Sequence, residues 1–517
     1  MHALPGIVAP PRPVVMTLTT TEPDMQARRG SPSDVALLVV ALVVCAVGLV
    51  VGLLAGPLWL DEAISVEIAR RPVPDLLEAL RQDGAPPLYY LLLHAWMALF
   101  GTGTVAVRLL TVLLVPVALW LAWALGSRVG GPAGGRASVV VLASLPWFLR
   151  YGSETRMYLL VVVLVLAGAL ALRAVRTGRS WAATAGLAAA VGALLLTHYW
   201  SLFLLAVVAL WHAPGVLRRE PGALRVAVAM AVGGVAFLPW LPTFLFQAAH
   251  TGAPWASPPD LLGLLRTPTY WGGGPDDGRY LLAALLVPLV VLAAVRLRTG
   301  RALALVAAAT LVLAWLGALL SSGAYSGRYT AVVVPLLAVA AGLGSSTLPR
   351  RWATTVLALL IVVGAVTGVR AVAVPRASAA DVADAFLAEA DPGDVLLYCP
   401  DQLGPPVARE IGAGYRQVVY PTLGAPEIVD WVDYAARNDA ADPAAVAAQA
   451  DALAGGSQLF VLKASGYRTF EAEDGSSDRG DDCDSLLSEV RQLRGAGEHL
   501  FGEIGSTGQL LYRFDAR

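Results

Sequence analysis

The chain is poor in charge and almost without lysine. Acidic and basic side chains make up 15% of its 517 residues, 57% are hydrophobic, and the mean hydropathy is +0.64. Soluble domains carry about 25% charged and about 45–50% apolar residues. The composition therefore excludes an ordinary soluble protein and reads as a polytopic membrane protein. Lysine occurs only at Lys463, a skew toward arginine that reflects genome composition rather than chemistry. Neither sign of charge dominates: 37 Lys and Arg face 38 Asp and Glu, and nothing points to nucleic acid. Cysteine is scarce too. Cys45 sits in an apolar run, and Cys399 and Cys483 lie far downstream with no C-x-x-C spacing, which removes a zinc module. Those two could form a disulfide if the tail is extracytoplasmic, or remain two thiols. From Gly424 onward no G-x-G-x-x-G occurs, and no internal repeat suggests an inverted-repeat transporter.

What is abundant is the apolar run. Residues 1–34 are rich in Pro, Thr and Arg without helical periodicity and read as a disordered cytoplasmic tail. Residues 35–375 carry successive apolar stretches, beginning at Val35–Leu58 behind Arg28 and Arg29. Arginine sorts the loops. Arg128/Arg136, Arg173/Arg176/Arg179, Arg218/Arg219/Arg225, Arg296/Arg298/Arg301 and Arg350/Arg351 all fall on the cytoplasmic side if one condition holds. Pro86–Phe100, short for a span, must lie along the outer interface, where Tyr89, Tyr90 and Trp96 suit the depth. The region 181–217 then crosses twice, turning at Thr197-His198-Tyr199-Trp200. This predicts about eleven transmembrane helices, N-terminus inside and C-terminus outside. Residues 376–517 turn soluble, with a helix over Ala379–Ala390 and strands near Asp394–Cys399, Gln417–Tyr420, Gln458–Lys463 and Gln509–Phe514. They predict an extracytoplasmic α/β domain, with Glu471–Asp484 a solvated acidic loop.

With that topology the polar residues collect on one face. Asp61-Glu62 follows the first span, where carboxylates are costly unless they meet water or a substrate. Asp61 is the better candidate for a base taking the proton of an attacking hydroxyl; Glu62 could orient it or bind the acceptor. Asp83, ahead of Pro86-Pro87, could cap the interfacial helix or touch substrate. Glu154 offers a further carboxylate, and Arg156 and Arg328 are cations suited to phosphate, although a helix-end anchor would explain the Glu154/Arg156 pair equally well. Tyr89, Tyr158, His198, Tyr199 and Tyr329 complete the candidate substrate-binding set. Asp276-Asp277 reads as a solvated turn within a loop that could form a lid. A hard cation such as Mg or Mn could be built from Asp61, Glu62 and Glu154, but nothing in the spacing requires a cofactor.

Four motifs carry a family resemblance. They are Trp59-Leu60-Asp61-Glu62-Ala63; Asp83-Gly-Ala-Pro86-Pro87-Leu-Tyr-Tyr through His94, Trp96, Gly101 and Arg108; Glu154-Thr-Arg156-Met-Tyr158; and Thr197-His198-Tyr199. Across residues 35–345 the chain resembles the GT-C glycosyltransferases that use polyprenyl-phosphate sugars, the group of the protein O-mannosyltransferases and the aminoarabinose transferases (family 39-like). The resemblance implies interfacial helices in the first outer loop and inverting transfer at the outer leaflet of the plasma membrane. Asp61 would be the base, Glu154 the acidic residue of the second outer loop, and Arg156 and Arg328 phosphate ligands. The acceptor would be a cell-envelope glycan, lipid or protein, and the sugar mannose or arabinose. The β-trefoil of the protein O-mannosyltransferases is not found, which counts against a protein acceptor. A transporter or flippase of a lipid-linked sugar is the alternative. It would carry polar residues deep in its spans, whereas these spans are mostly Ala, Leu and Val.

Overall fold

Ala/Leu/Val runs give a helix no side chain that competes for its backbone, and in lipid a helix satisfies every backbone polar group internally. The computed structural model describes residues 32–178, 180–253, 259–273, 278–321, 323–373, 378–464, 482–502 and 508–517. The N-terminal tail up to residue 31, Asp276-Asp277 and most of the 471–484 stretch lie outside the described residues. Seven helical segments are long and apolar enough to cross a bilayer, from Pro32–Leu54 to Arg350–Ala373. One of these, Thr104–Ala143, contains a hairpin. Gly130 and Gly131 leave helical geometry, Gly131 with φ 65°, and Pro132 starts the return. Gly126 lies against Gly134, Gly135 and Ser138, so the two legs run back to back. Counting both legs, and the shorter helices Trp181–Leu195, Ser201–Leu217 and Val334–Ser346, gives eleven apolar crossings among the described residues.

The arginines mark one end of this bundle. Arg173 donates to the Arg128 carbonyl at 3.0 Å, Arg176 pairs with Glu220 at 3.4 Å, and Arg225 reaches the Val175 carbonyl at 3.2 Å. Arg296 meets the Thr347 carbonyl at 3.0 Å and Arg350 meets Ser33 at 3.2 Å. Loops scattered through the sequence thus touch at a single end. At the other end, helix Leu88–Phe100 starts with Leu88 donating to the Leu196 carbonyl at 2.9 Å. Just beyond its last residue, the Thr102 carbonyl accepts from Arg409 of the C-terminal domain. Both of its ends therefore lie at the same end of the bundle.

Beyond Ala373 the chain builds a five-stranded sheet, β1 Val395–Cys399, β2 Arg416–Val419, β3 Leu459–Ala464, β4 Glu498–Phe501 and β5 Gln509–Phe514, in the order β2-β1-β3-β5-β4. β1 pairs in parallel with β2 and β3, while β3–β5 and β5–β4 are antiparallel. Burial on both faces explains the apolar run of β1 and that of Leu459–Leu462 in β3. Alternate residues pack on helices Pro443–Ala454 and Asp482–Arg494 on one side, and on Ala379–Leu387 and Gly404–Ile411 on the other. Cys399 and Cys483 are disulfide-bonded across the first of these faces, their Cα atoms 5.4 Å apart.

Where this domain meets the bundle it buries a carboxyl. Asp401, 5% exposed, accepts from the Tyr434 hydroxyl at 2.6 Å. Burial raises its pKa to about 6, against the opposing hydrogen bond. The folded chain thus binds this proton more tightly than the unfolded one. Between about pH 6 and about pH 4 the domain gains stability as pH falls, by up to about 3 kcal/mol. Thermal melts from pH 7.5 to 5 should show that rise in the wild type and a flatter profile in Asp401→Asn. Equal slopes would remove Asp401 as the cause.

Candidate active site

Helix Leu60–Ala69 places the two adjacent carboxylates. The Trp59 N–H donates to Glu62 Oε2 at 3.4 Å, the reach-back bond of a capping box. Successive helical residues point about 100° apart, so Asp61 and Glu62 meet different neighbours.

Glu62 turns into the protein. Arg108 Nε and Nη2 donate to its two oxygens at 2.9 and 2.7 Å, and the Thr155 N–H donates to Oε1 at 2.9 Å. Arg108 also reaches the carbonyls of Ala55, Gly56 and Pro57 at 2.6, 3.2 and 3.1 Å. The pair is bidentate and nearly dry, with side chains 6% and 2% exposed. It ties the end of the first span to helices Leu60–Ala69 and Thr104–Val112.

Asp61 instead faces a cavity of about 300 Å³. Its Oδ2 accepts from Arg328 Nη1 at 2.5 Å, with Arg156 Nε 4.0 Å away. Arg156 Nη1 donates to the Asp61 carbonyl at 3.2 Å, to Ser65 Oγ at 2.8 Å and to the Tyr90 hydroxyl at 3.3 Å. Tyr90 in turn donates to Asp83 Oδ2 at 3.1 Å. Burial raises the pKa of Asp83, against the pull of Arg156 and of that hydrogen bond. A network of two carboxylates and two guanidiniums therefore occupies one side of the cavity.

Aromatic rings form another side. His198 stands 5.9 Å from Tyr158 and 5.1 Å from Tyr329, and Trp200 lies 5.6 Å from Tyr329, between ring centroids. Burial first, then the charges of Arg156 and Arg328, lower the His198 pKa to about 3, so the ring is neutral at physiological pH. The Trp200 N–H donates to His198 Nδ1 at 3.1 Å. The ring proton accordingly sits on Nε2, leaving it a donor. The Tyr158 hydroxyl, on the cavity wall and buried, has no hydrogen-bond partner among the described residues. Toward the spans the wall is Ala314, Gly317, Ala318 and Phe203, and a side chain added at Gly317 would meet the Phe203 ring at 2.7 Å.

Asp61, Asp83, Arg156, Tyr158, His198, Tyr199, Arg328 and Tyr329 all line the cavity. Three other sequence candidates do not. Glu62 is engaged by Arg108. Glu154 is buried outside the wall. Tyr89 is buried with its hydroxyl 3.4 Å from Thr111. Asp61, Glu62 and Glu154 do not converge as cation ligands, and no group of three or more His, Cys, Asp or Glu side chains does so among the described residues. Sequence reasoning missed Ser65, although its spacing of four from Asp61 puts both on one helix face. It used Tyr90 only as an interfacial ring. It missed Trp431, which enters from the C-terminal domain and has no local signal.

Residues 84–242 match the family model of dolichyl-phosphate-mannose-protein mannosyltransferases. No curated protein sequence matches the chain. Among solved structures, ArnT from Cupriavidus metallidurans bound to undecaprenyl phosphate is 15% identical with a TM-score of 0.58, over 93% of this chain and 97% of that one. The apo form of the same protein gives 16% and 0.59 over the same shares. The arabinofuranosyltransferase AftD from Mycobacteria gives 15% and 0.51, over 92% of this chain and 40% of that one. The chain is thus a multi-pass membrane protein with the GT-C fold, similar to the ArnT structures along nearly its whole length and to the mannosyltransferase family over residues 84–242.

Proposed function

We propose that this cavity transfers a sugar, mannose or arabinose, from a polyprenyl phosphate to an acceptor hydroxyl with inversion. The observation that carries the reading is the Asp61 carboxylate set between Arg328 and Arg156 in a cavity with both an aromatic and an apolar wall. Asp61 accepts the hydroxyl proton as the acceptor oxygen bonds to the anomeric carbon. The bond from that carbon to the phosphate oxygen breaks, and the departing polyprenyl phosphate carries a second negative charge. Arg156 and Arg328 stabilise that charge. Burial lowers both their pKa values, but neighbouring negative groups more than reverse this, so both remain cationic. The His198 Nε2–H and the Tyr158 hydroxyl are donors for sugar or phosphate oxygens. An ArnT structure holding undecaprenyl phosphate supports a lipid of that class.

In this reading the arginine-rich end faces the cytoplasm and the cavity, with the disulfide-bonded domain, faces outward across the plasma membrane. Purified protein given radiolabelled polyprenyl-phosphate mannose or arabinose, with envelope fractions as acceptor, should release polyprenyl phosphate and label the acceptor with inverted configuration. Failure to consume either donor would overturn the proposal.

A further inference from the structure

The C-terminal domain contributes a wall to the cavity. Trp431 lines it together with Asp83, Gly84, Ala85 and Pro86. The residue is not a loose tip. Its N–H donates to the Gln82 carbonyl at 3.1 Å, next to Asp83. Val432 bridges Thr251, and the Asp433 N–H donates to the His250 carbonyl at 2.8 Å. Arg437 closes the loop from behind, donating to the Val432 carbonyl at 2.7 Å and pairing with Asp430 at 3.4 Å. The Trp431 ring rests on Tyr434, 4.9 Å between centroids. Backbone ties to two segments of the membrane domain thus fix an indole in the wall of the site.

We infer that Trp431 is the platform for a carbohydrate acceptor, so that the site is completed only by the C-terminal domain. The inference rests on the transferase reading and deepens it. Trp431 shares the cavity wall with Asp83, while Ala314, Gly317 and Ala318 of helix Arg298–Leu319 give the same cavity an apolar lining suited to a lipid donor. A flat ring next to a carboxylate suits a polyol. The C–H face of a sugar packs on the indole, while Asp83 accepts from its hydroxyls. Trp431 acts on binding and carries no proton in the reaction.

The test separates acceptor binding from turnover. Mannan and arabinan oligosaccharides are titrated against the purified full chain by saturation-transfer NMR, and undecaprenyl phosphate is titrated alongside. One of the glycans should bind the wild type. Trp431→Ala should weaken it by about tenfold or more and Trp431→Phe far less, with undecaprenyl phosphate binding the same in all three. That lipid measurement shows that each variant is folded. No glycan binding by the wild type, or equal binding by Trp431→Ala, overturns the inference. Glycan binding without consumption of any donor would leave Trp431 as a platform and defeat the transferase reading alone.

Discussion

Asp61→Asn should lose transfer by about 10³-fold, within the range of about 10²–10⁴ for a positioned proton acceptor, while folding normally. Asparagine has the same shape and can still accept from Arg328 through its amide oxygen, so the local packing survives. The charge does not. With Asp61 neutral, Arg156 and Arg328 lose the anion that holds them in the resting site. Polyprenyl phosphate should then bind more tightly as turnover falls. A lower donor KM combined with a collapsed kcat separates loss of the base from general damage, which would raise KM. Transfer by Asp61→Asn within about tenfold of wild type would refute the role of Asp61 as base.

Its neighbour should behave in the opposite way. Glu62→Gln leaves Arg108 charged among the carbonyls of Ala55, Gly56 and Pro57 without its partner. Breaking one side of a buried pair costs about 3–5 kcal/mol. The expected outcome is poor yield and an early thermal transition in detergent, with the surviving folded fraction still active. Arg108→Met should be similarly unstable, and Glu62→Leu combined with Arg108→Met should recover part of the loss, since no charge remains buried while the Thr155 N–H and the carbonyls of Ala55, Gly56 and Pro57 lose their partners. A Glu62→Gln protein that melts like wild type yet cannot transfer sugar would put Glu62 in the chemistry.

The contrast shows where sequence was informative. The distribution of arginine located both ends of the bundle and placed Leu88–Phe100 on the interface, because charge in lipid is costly enough to leave a one-dimensional trace. β1 was legible as a buried strand from its unbroken apolar run, and β3 as a further strand. β4 was not, since Glu498–Phe501 is short, mixed and only half-buried. Asp61, Arg156, His198 and Arg328 were legible as polar residues at helix ends, and they share one cavity. The division of labour between Asp61 and Glu62 was invisible. It depends on which way Arg108 points from a helix 46 residues further on. Trp431 was more remote still, since its place follows from how a separate domain docks.

The lock between Glu62 and Arg108 also sets how the two sides of the site are held. It joins the end of the first span, the helix bearing Asp61 and helix Thr104–Val112 into one body. That body is a fixed jaw. The opposing jaw holds Arg328 in the short helical turn Gly327–Val332, which is tied to its neighbours by the Trp147 and Trp271 indoles at 2.9 and 3.0 Å. A short ion pair, Arg328 to Asp61 Oδ2, joins the two across the cavity. Asp61 and Arg328 are thus each held by a frame of their own, so the separation of carboxylate and guanidinium is set by how the two frames pack rather than by the ion pair itself.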